Sequence, residues 1–141
     1  EMYSDYKANR PECPMDLVPQ FDLVREAAKA FGIPQIEATN YEADDVIATL
    51  AHMASREGIP TRILSADKDL MQLVTSGSVM PSVDMVDPKS MIKTDHDSVV
   101  EKWGVAPSLV GDLLALVGDA SDNIPGVKGI GKVGAAKLLK E

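Results

Sequence analysis

The chain has 141 residues, 45% of them hydrophobic and 26% charged, with a formal net charge of −8; this is the size of one domain with a sizeable core, and wholesale disorder is excluded. Cys13 is the sole cysteine, so neither an intramolecular disulfide nor a cysteine-built zinc site can form, which fits a reducing compartment. No apolar run approaches the ~18 residues of a membrane helix and no basic start leads into a hydrophobic core, so a soluble intracellular protein is predicted.

In chain order, Leu17, Phe21, Val24, Ala28 and Phe31 recur at steps of three and four, which predicts a helix with Pro19 in its first turn and Gly32 and Pro34 at its end. Ile33 to Thr39 then reads as a short strand, with Asn40 as the cap of a second helix that starts near Tyr41. Val46, Leu50 and Met53 keep the helical period until Gly58 and Pro60 stop it, and Thr61 to Ser65 is a β-branched strand. Strand, helix, strand is the pattern of a parallel sheet. A short helix from Lys68 to Val74 and extended segments between Ser78 and Lys93 follow. Helices dominate thereafter: one capped by Asp95 or Asp97 and ending at Gly104, one from Pro107 to Val117, and one from Lys132 to Lys140. An α/β part thus precedes an α-helical part, with a junction near residue 94.

Charge is unevenly spread. Residues 37–122 carry 15 acidic and 6 basic side chains, whereas residues 123–141 carry 1 and 4. Glu42, Asp44 and Asp45 fall in the first turn of a predicted helix, where acids complement the macrodipole; alone, they read as capping. Glu42 and Asp45 nevertheless share a helix face, and paired carboxylates are ligands for hard cations. Asp67 and Asp69 follow directly on a strand, at the end where open α/β sheets place their sites, although Asp67 also suits a plain N-cap. Asp119 and Asp122 lie in a polar loop that Asx turns would explain as well. Seven acids gathered in one site would repel unless cations neutralised them, and two ions about 4 Å apart serve in-line phosphoryl displacement without a Ser, Cys or His nucleophile. Hydrolysis of a phosphodiester is the chemistry this predicts.

Two basic features complement the acids. Lys128-Gly129-Ile130-Gly131-Lys132, followed by an Ala-Ala-Lys-Leu-Leu helix that contains Lys137, is the pattern of a helix-hairpin-helix, whose backbone N–H groups and lysines grip phosphates without reading sequence. An ordinary glycine turn is the plainer reading. Lys7 and Arg10 stand three apart on a predicted helix, an arrangement that is usually only a solvated face but could hold a scissile phosphate.

Taken in order, Tyr-Lys-Ala-Asn-Arg at 6–10, Tyr-Glu-Ala-Asp-Asp at 41–45, Ala-Asp-Lys-Asp-Leu at 66–70, Gly-Asp-Ala-Ser-Asp-Asn-Ile-Pro-Gly at 118–126 and Gly-Ile-Gly at 129–131 resemble the 5′ to 3′ exonuclease domain of bacterial DNA polymerase I, in the flap-endonuclease superfamily. The resemblance implies a PIN-like fold: a central, mostly parallel sheet flanked by helices, with part of a helical arch, over residues 1–93, then an α-helical helix-hairpin-helix subdomain over 94–141. It implies a two-ion magnesium or manganese site on Glu42, Asp44, Asp45, Asp67, Asp69, Asp119 and Asp122, with Lys7 and Arg10 as arch residues at the scissile region. Lys128, Gly129, Gly131, Lys132 and Lys137 would bind duplex DNA, with a potassium ion at the hairpin. The implied substrate is DNA with 5′ ends or flaps in replication and repair, in the bacterial cytoplasm or another DNA-containing compartment, with a polymerase fused or associated and no membrane.

The family's first strand and two further acids would lie upstream of Glu1, and its hairpin subdomain would continue past Glu141, so the chain is expected to be the middle of a nuclease domain. Ala66 stands where the family commonly has Gly, and Lys132-Val133-Gly134 replaces a Glu-Lys-Thr-like stretch; neither change removes a carboxylate. A DNA-binding remnant without catalysis is the alternative. A magnesium-dependent aspartyl phosphatase, suggested by Asp67-x-Asp69 alone, fits poorly, because Met71 stands where a Thr or Val is expected and no DNA grip would be needed.

Overall fold

The computed structural model describes residues 3–75 and 81–141. Among these residues, five helices are α1 (Gln20–Ala30), α2 (Ala43–Arg56), α3 (His96–Trp103), α4 (Val110–Val117) and α5 (Lys132–Leu138), and five short strands are β1 (Thr61–Leu64), β2 (Val83–Val86), β3 (Lys93–Thr94), β4 (Gly118–Asp119) and β5 (Ile124–Pro125). Single turns of 3-10 helix cover Asp69–Leu73 and Pro107–Leu109.

β1 runs parallel to β2 in the register Thr61 to Val83 through Leu64 to Val86, and β3 joins the other side of β2 antiparallel. β2 is therefore central, and all four of its residues are buried. That burial includes Asp84, whose carboxylate takes Arg62 Nε at 2.7 Å and Nη2 at 3.0 Å from β1, with Lys93 Nζ at 3.3 Å from β3. A buried charge is tolerated when it is paired in this way. The hydrophobic core continues without a break from Ile63, Val83 and Met85 into the helical Val99, Leu113 and Ala135.

Local signals explain most elements. The Asp95 carboxylate accepts the Ser98 N–H at 3.1 Å to start α3, and Gly104, at φ 76°, ends it. α2 starts at Ala43 with Glu42 in the extended capping conformation, so the cap is Glu42 and not Asn40, which sits in the left-handed region at φ 68°.

Three expectations are corrected. Ile33–Thr39 is not a strand: it folds back along α1, where Gln35 Nε2 donates to the Arg25 carbonyl at 2.9 Å and Glu37 pairs with Arg25 at 3.3 Å. Side-chain ties to the preceding helix replace strand pairing. Lys7–Arg10 is not helical either, because Lys7 adopts φ 58° and its N–H donates to the Asp122 carbonyl at 2.9 Å. The 3-10 geometry at Asp69–Leu73 replaces the expected longer helix to Val74, and the start of the extended stretch expected from Ser78 lies outside the described residues. α1 forms with the predicted period but buries none of its residues among those described.

Candidate active site

Three carboxylates converge where the sheet meets the helices. Asp69, Asp119 and Asp122 each place one oxygen within 4.8 Å of the others. Their positions follow from local chemistry. Past the end of β1, Ser65 Oγ accepts the Asp67 N–H and Asp67 Oδ1 accepts the Asp69 N–H, both at 3.0 Å, so the polar side chains turn the chain and set Asp69 at the head of the 3-10 turn. Asp119 and Asp122 belong to the β4–β5 hairpin, which two glycines close. A Cβ on Gly118 would lie 2.3 Å from the Gly126 nitrogen, and one on Gly126 would lie 2.1 Å from the Val117 oxygen. Gly118 also takes φ 80°, open to glycine at little cost.

The N-terminal segment is stitched to this hairpin. Asn9 Nδ2 donates to the Ala120 carbonyl and Asn123 Nδ2 to the Asp5 carbonyl, each at 2.8 Å. Lys7 and Arg10 are thereby carried to the acids: Lys7 Nζ lies 2.9 and 3.0 Å from the two Glu42 oxygens, and Arg10 pairs with Asp122. Hydrogen bonding to Tyr6 and then Glu42 raises the Lys7 ammonium above its ordinary value.

Burial holds the Asp69 carboxyl above the usual carboxylate range; Lys68 opposes the shift, and Asp67, Asp119 and Asp122 add to it. Its Oδ1 is buried and has no hydrogen-bond partner among the described residues, the Lys68 ammonium standing 3.9 Å away. Asp119 is pushed the other way, down to about 2, by the Lys68 ammonium at 2.7 Å and by Ser121. Asp44 is raised by burial and then by the neighbouring charge of Asp67 and Glu42. Of the seven predicted acids, Asp69, Asp119 and Asp122 form the close cluster, while Asp44, Asp67 and Glu42 interact electrostatically beside it. The Asp45 carboxylate accepts the Glu42 N–H at 3.0 Å and holds the helix terminus.

The hairpin residues divide. Gly129 (φ 84°) and Gly131, the N-cap of α5, form an exposed turn with Lys128, and open space surrounds both glycines. Lys132 instead reaches the Lys102 carbonyl and stands 5.0 Å from the Trp103 ring centroid, and Lys137 lines a pocket with these residues between α3 and α5. Lys68, Asn9, Asn123 and Ser121 are site residues that sequence reasoning missed. Lys68 lies between two motif acids, which was the available signal; the roles of Asn9 and Asn123 depend on a contact more than 100 positions apart, which no local pattern records.

The family described as "5′-3′ exonuclease, N-terminal resolvase-like domain" matches residues 1–104, and "5′-3′ exonuclease, C-terminal SAM fold" matches residues 105–141. The chain belongs to the 5′-3′ exonuclease family. It is 48% identical over 141 residues to a DNA polymerase I of Rhizobium leguminosarum, covering all of this chain and 13% of that protein. It is 42% identical over 141 residues to a 5′-3′ exonuclease of Aquifex aeolicus, again over its full length, covering 47% of the relative. The chain thus spans less than half of these exonuclease-family relatives. The fold matches the crystal structure of T5 D15 protein co-crystallized with metal ions, with a TM-score of 0.79 at 24% identity, over 96% of this chain and 53% of that one. The shared architecture is the α/β resolvase-like part followed by the helical part. Among the described residues no helix is long and apolar enough to cross a membrane.

Proposed function

We propose that this chain is the nuclease segment of a divalent-metal-dependent 5′ to 3′ DNA exonuclease and structure-specific 5′ flap endonuclease, hydrolysing phosphodiesters in DNA replication and repair. The observation that carries this reading is the convergence of Asp69, Asp119 and Asp122, with a buried Asp69 oxygen that no donor among the described residues hydrogen-bonds. An all-oxygen, all-carboxylate donor set suits a hard cation such as Mg2+ or Mn2+. Asp69, Asp119 and Asp122 would hold one ion, and Glu42, Asp44 and Asp67 supply oxygens for a second. Bound there, such ions lower the pKa of a water and offset the charge of the phosphate under attack.

The chain's own residues do the positioning. Lys7 and Arg10, paired with Glu42 and Asp122, stand at the rim as cations that can exchange a carboxylate for a substrate phosphate. The Lys128–Gly131 turn offers backbone donors and a cation for a second stretch of backbone, as sequence-independent duplex binding requires. The name of the Rhizobium leguminosarum relative supports a polymerase partner, fused or associated, and the bacterial sources of both relatives are in keeping with a place in the cytoplasm with the nucleoid. We also place the boundary between the nuclease core and the hairpin subdomain near residue 94.

The test is cleavage of a 5′-labelled flap DNA by this chain with magnesium, with manganese and with a chelator. Short 5′ products that need metal and fall at least 100-fold in Asp119→Asn are expected. Binding without cutting under every metal condition would favour the remnant reading instead.

A further inference from the structure

We propose that Lys68 is a built-in competitor for the divalent cation: an ammonium tethered inside the carboxylate cluster that ties its two acid-bearing loops together and weakens ion binding. The inference concerns the regulation of the candidate site and rests on the nuclease reading above. Lys68 Nζ stands 2.7 Å from Asp119 Oδ2, 3.5 Å from Ser121 Oγ and 3.9 Å from Asp69 Oδ1. One ammonium thus bridges the turn after β1 and the β4–β5 hairpin, 51 positions apart in sequence.

The backbone keeps this ammonium at the site. Lys68 is the N-cap of the 3-10 turn, its carbonyl accepts the Met71 N–H at 3.1 Å, and the Asp69 N–H beside it is held by Asp67 Oδ1 at 3.0 Å. Leu70 and Met71 then anchor the turn in the core. Lys7 and Arg10 are placed differently: they reach Glu42 and Asp122 from a largely exposed segment held to the hairpin by hydrogen bonds.

Asp119 is engaged on both oxygens. Oδ1 accepts the Ser121 N–H at 2.9 Å and the Ser121 hydroxyl, and Oδ2 accepts Lys68. A divalent ion that takes Asp119 as a ligand must share Oδ2 with the ammonium or displace it. Sharing sets like charges side by side, and displacement lowers the apparent affinity by the fraction of molecules in which Asp119 is free to bind. A solvated surface pair would have little such effect, but the Asp119 side chain is only 12% exposed and that of Lys68 32%, so the charge is weakly screened. The consequence is an ion held reversibly, on acids whose mutual repulsion an internal cation already offsets.

The experiment titrates the chelator-treated chain with Mn2+ and reads the free ion by electron paramagnetic resonance. Lys68→Gln, which keeps an N–H donor for Asp119 without the charge, and Lys68→Met are compared with Lys68→Arg and with Lys29→Met, which removes a charge from the last turn of α1. Both neutral Lys68 variants are expected to bind Mn2+ about 10-fold more tightly, with Lys68→Arg and Lys29→Met within about 2-fold of the wild type. Thermal melts give a second reading: in chelator the neutral variants melt below the wild type, and saturating Mn2+ raises their melting temperature by more than it raises the wild type's. Should Lys68→Met not fold, Lys68→Gln alone carries the comparison. Mn2+ binding in the neutral variants that is no tighter than in the wild type would overturn the inference alone and leave Lys68 a structural tie. Absence of Mn2+ binding in every one of these proteins would overturn the nuclease reading with it.

Discussion

At the scale of single residues, Gly118 and Gly126 matter more than any one acid, because they bring two backbones to a distance no side chain permits. Gly126→Ala is expected to cost about 2 kcal/mol or more and to lower activity together with stability, since Asp119 and Asp122 ride on the hairpin it closes. Thermal melts of Gly126→Ala beside Gly131→Ala separate this from a general glycine effect: Gly131 has open space around it and is extended, so its variant should melt near the wild type. Asp84 contributes a pH dependence outside the site. Hydrogen bonding to Arg62, with Lys93 beyond it, depresses its carboxyl against the cost of burial. Its stabilising contribution is therefore present above the ordinary Asp range near 3.9 and is lost as pH falls through the depressed native value. Asp84→Asn should lose about 1–2 kcal/mol at pH 7, modest because Arg62 is half in water, and the loss should shrink in denaturant titrations towards pH 2.

At the scale of elements, the helices that carry both a start and a stop signal were legible in the sequence: α3 has Asp95 and Gly104, and α2 has its acidic first turn and Gly58-Pro60. Ile33–Thr39 was misleading because β-branched and apolar residues specify a strand only where a neighbouring strand pairs with them, and here Arg25 captures Gln35 and Glu37 instead. The β4–β5 ladder has two residues per strand, too short for any period to register. Periodicity also says nothing of burial. α1 is as amphipathic as α2, yet Phe21 is 50% exposed and Phe31 82%, whereas Leu113 on α4 is fully buried. Phe21→Ser should change stability by less than about 0.5 kcal/mol, and Leu113→Ala should cost about 2–5 kcal/mol, in urea unfolding of this chain. Equal losses would show that α1 is packed in solution.

At the scale of the whole molecule, the site is an agreement between segments far apart in sequence. Each acidic motif alone had a plain explanation as a cap or an Asx turn, and for Asp45 that explanation holds in the fold, since its carboxylate caps α2. What the motifs did not contain is their convergence, which depends on β1 delivering Asp69, on the hairpin delivering Asp119 and Asp122, and on Asn9 and Asn123 tying the N-terminal segment across both. Lys68 escaped notice because a cation between two acids reads as local charge balance until the fold shows it bonded to Asp119, 51 positions away. The account's central claim is that Asp69, Asp119 and Asp122 bind a divalent cation. Titration of the chain with Mn2+, followed by electron paramagnetic resonance of the free ion, tests it without any substrate. Saturable binding is predicted, weakened at least 10-fold in Asp69→Asn and in Asp119→Asn but unaltered in Asp97→Asn, which lies on exposed α3 surface; equal affinity in all four proteins would contradict it.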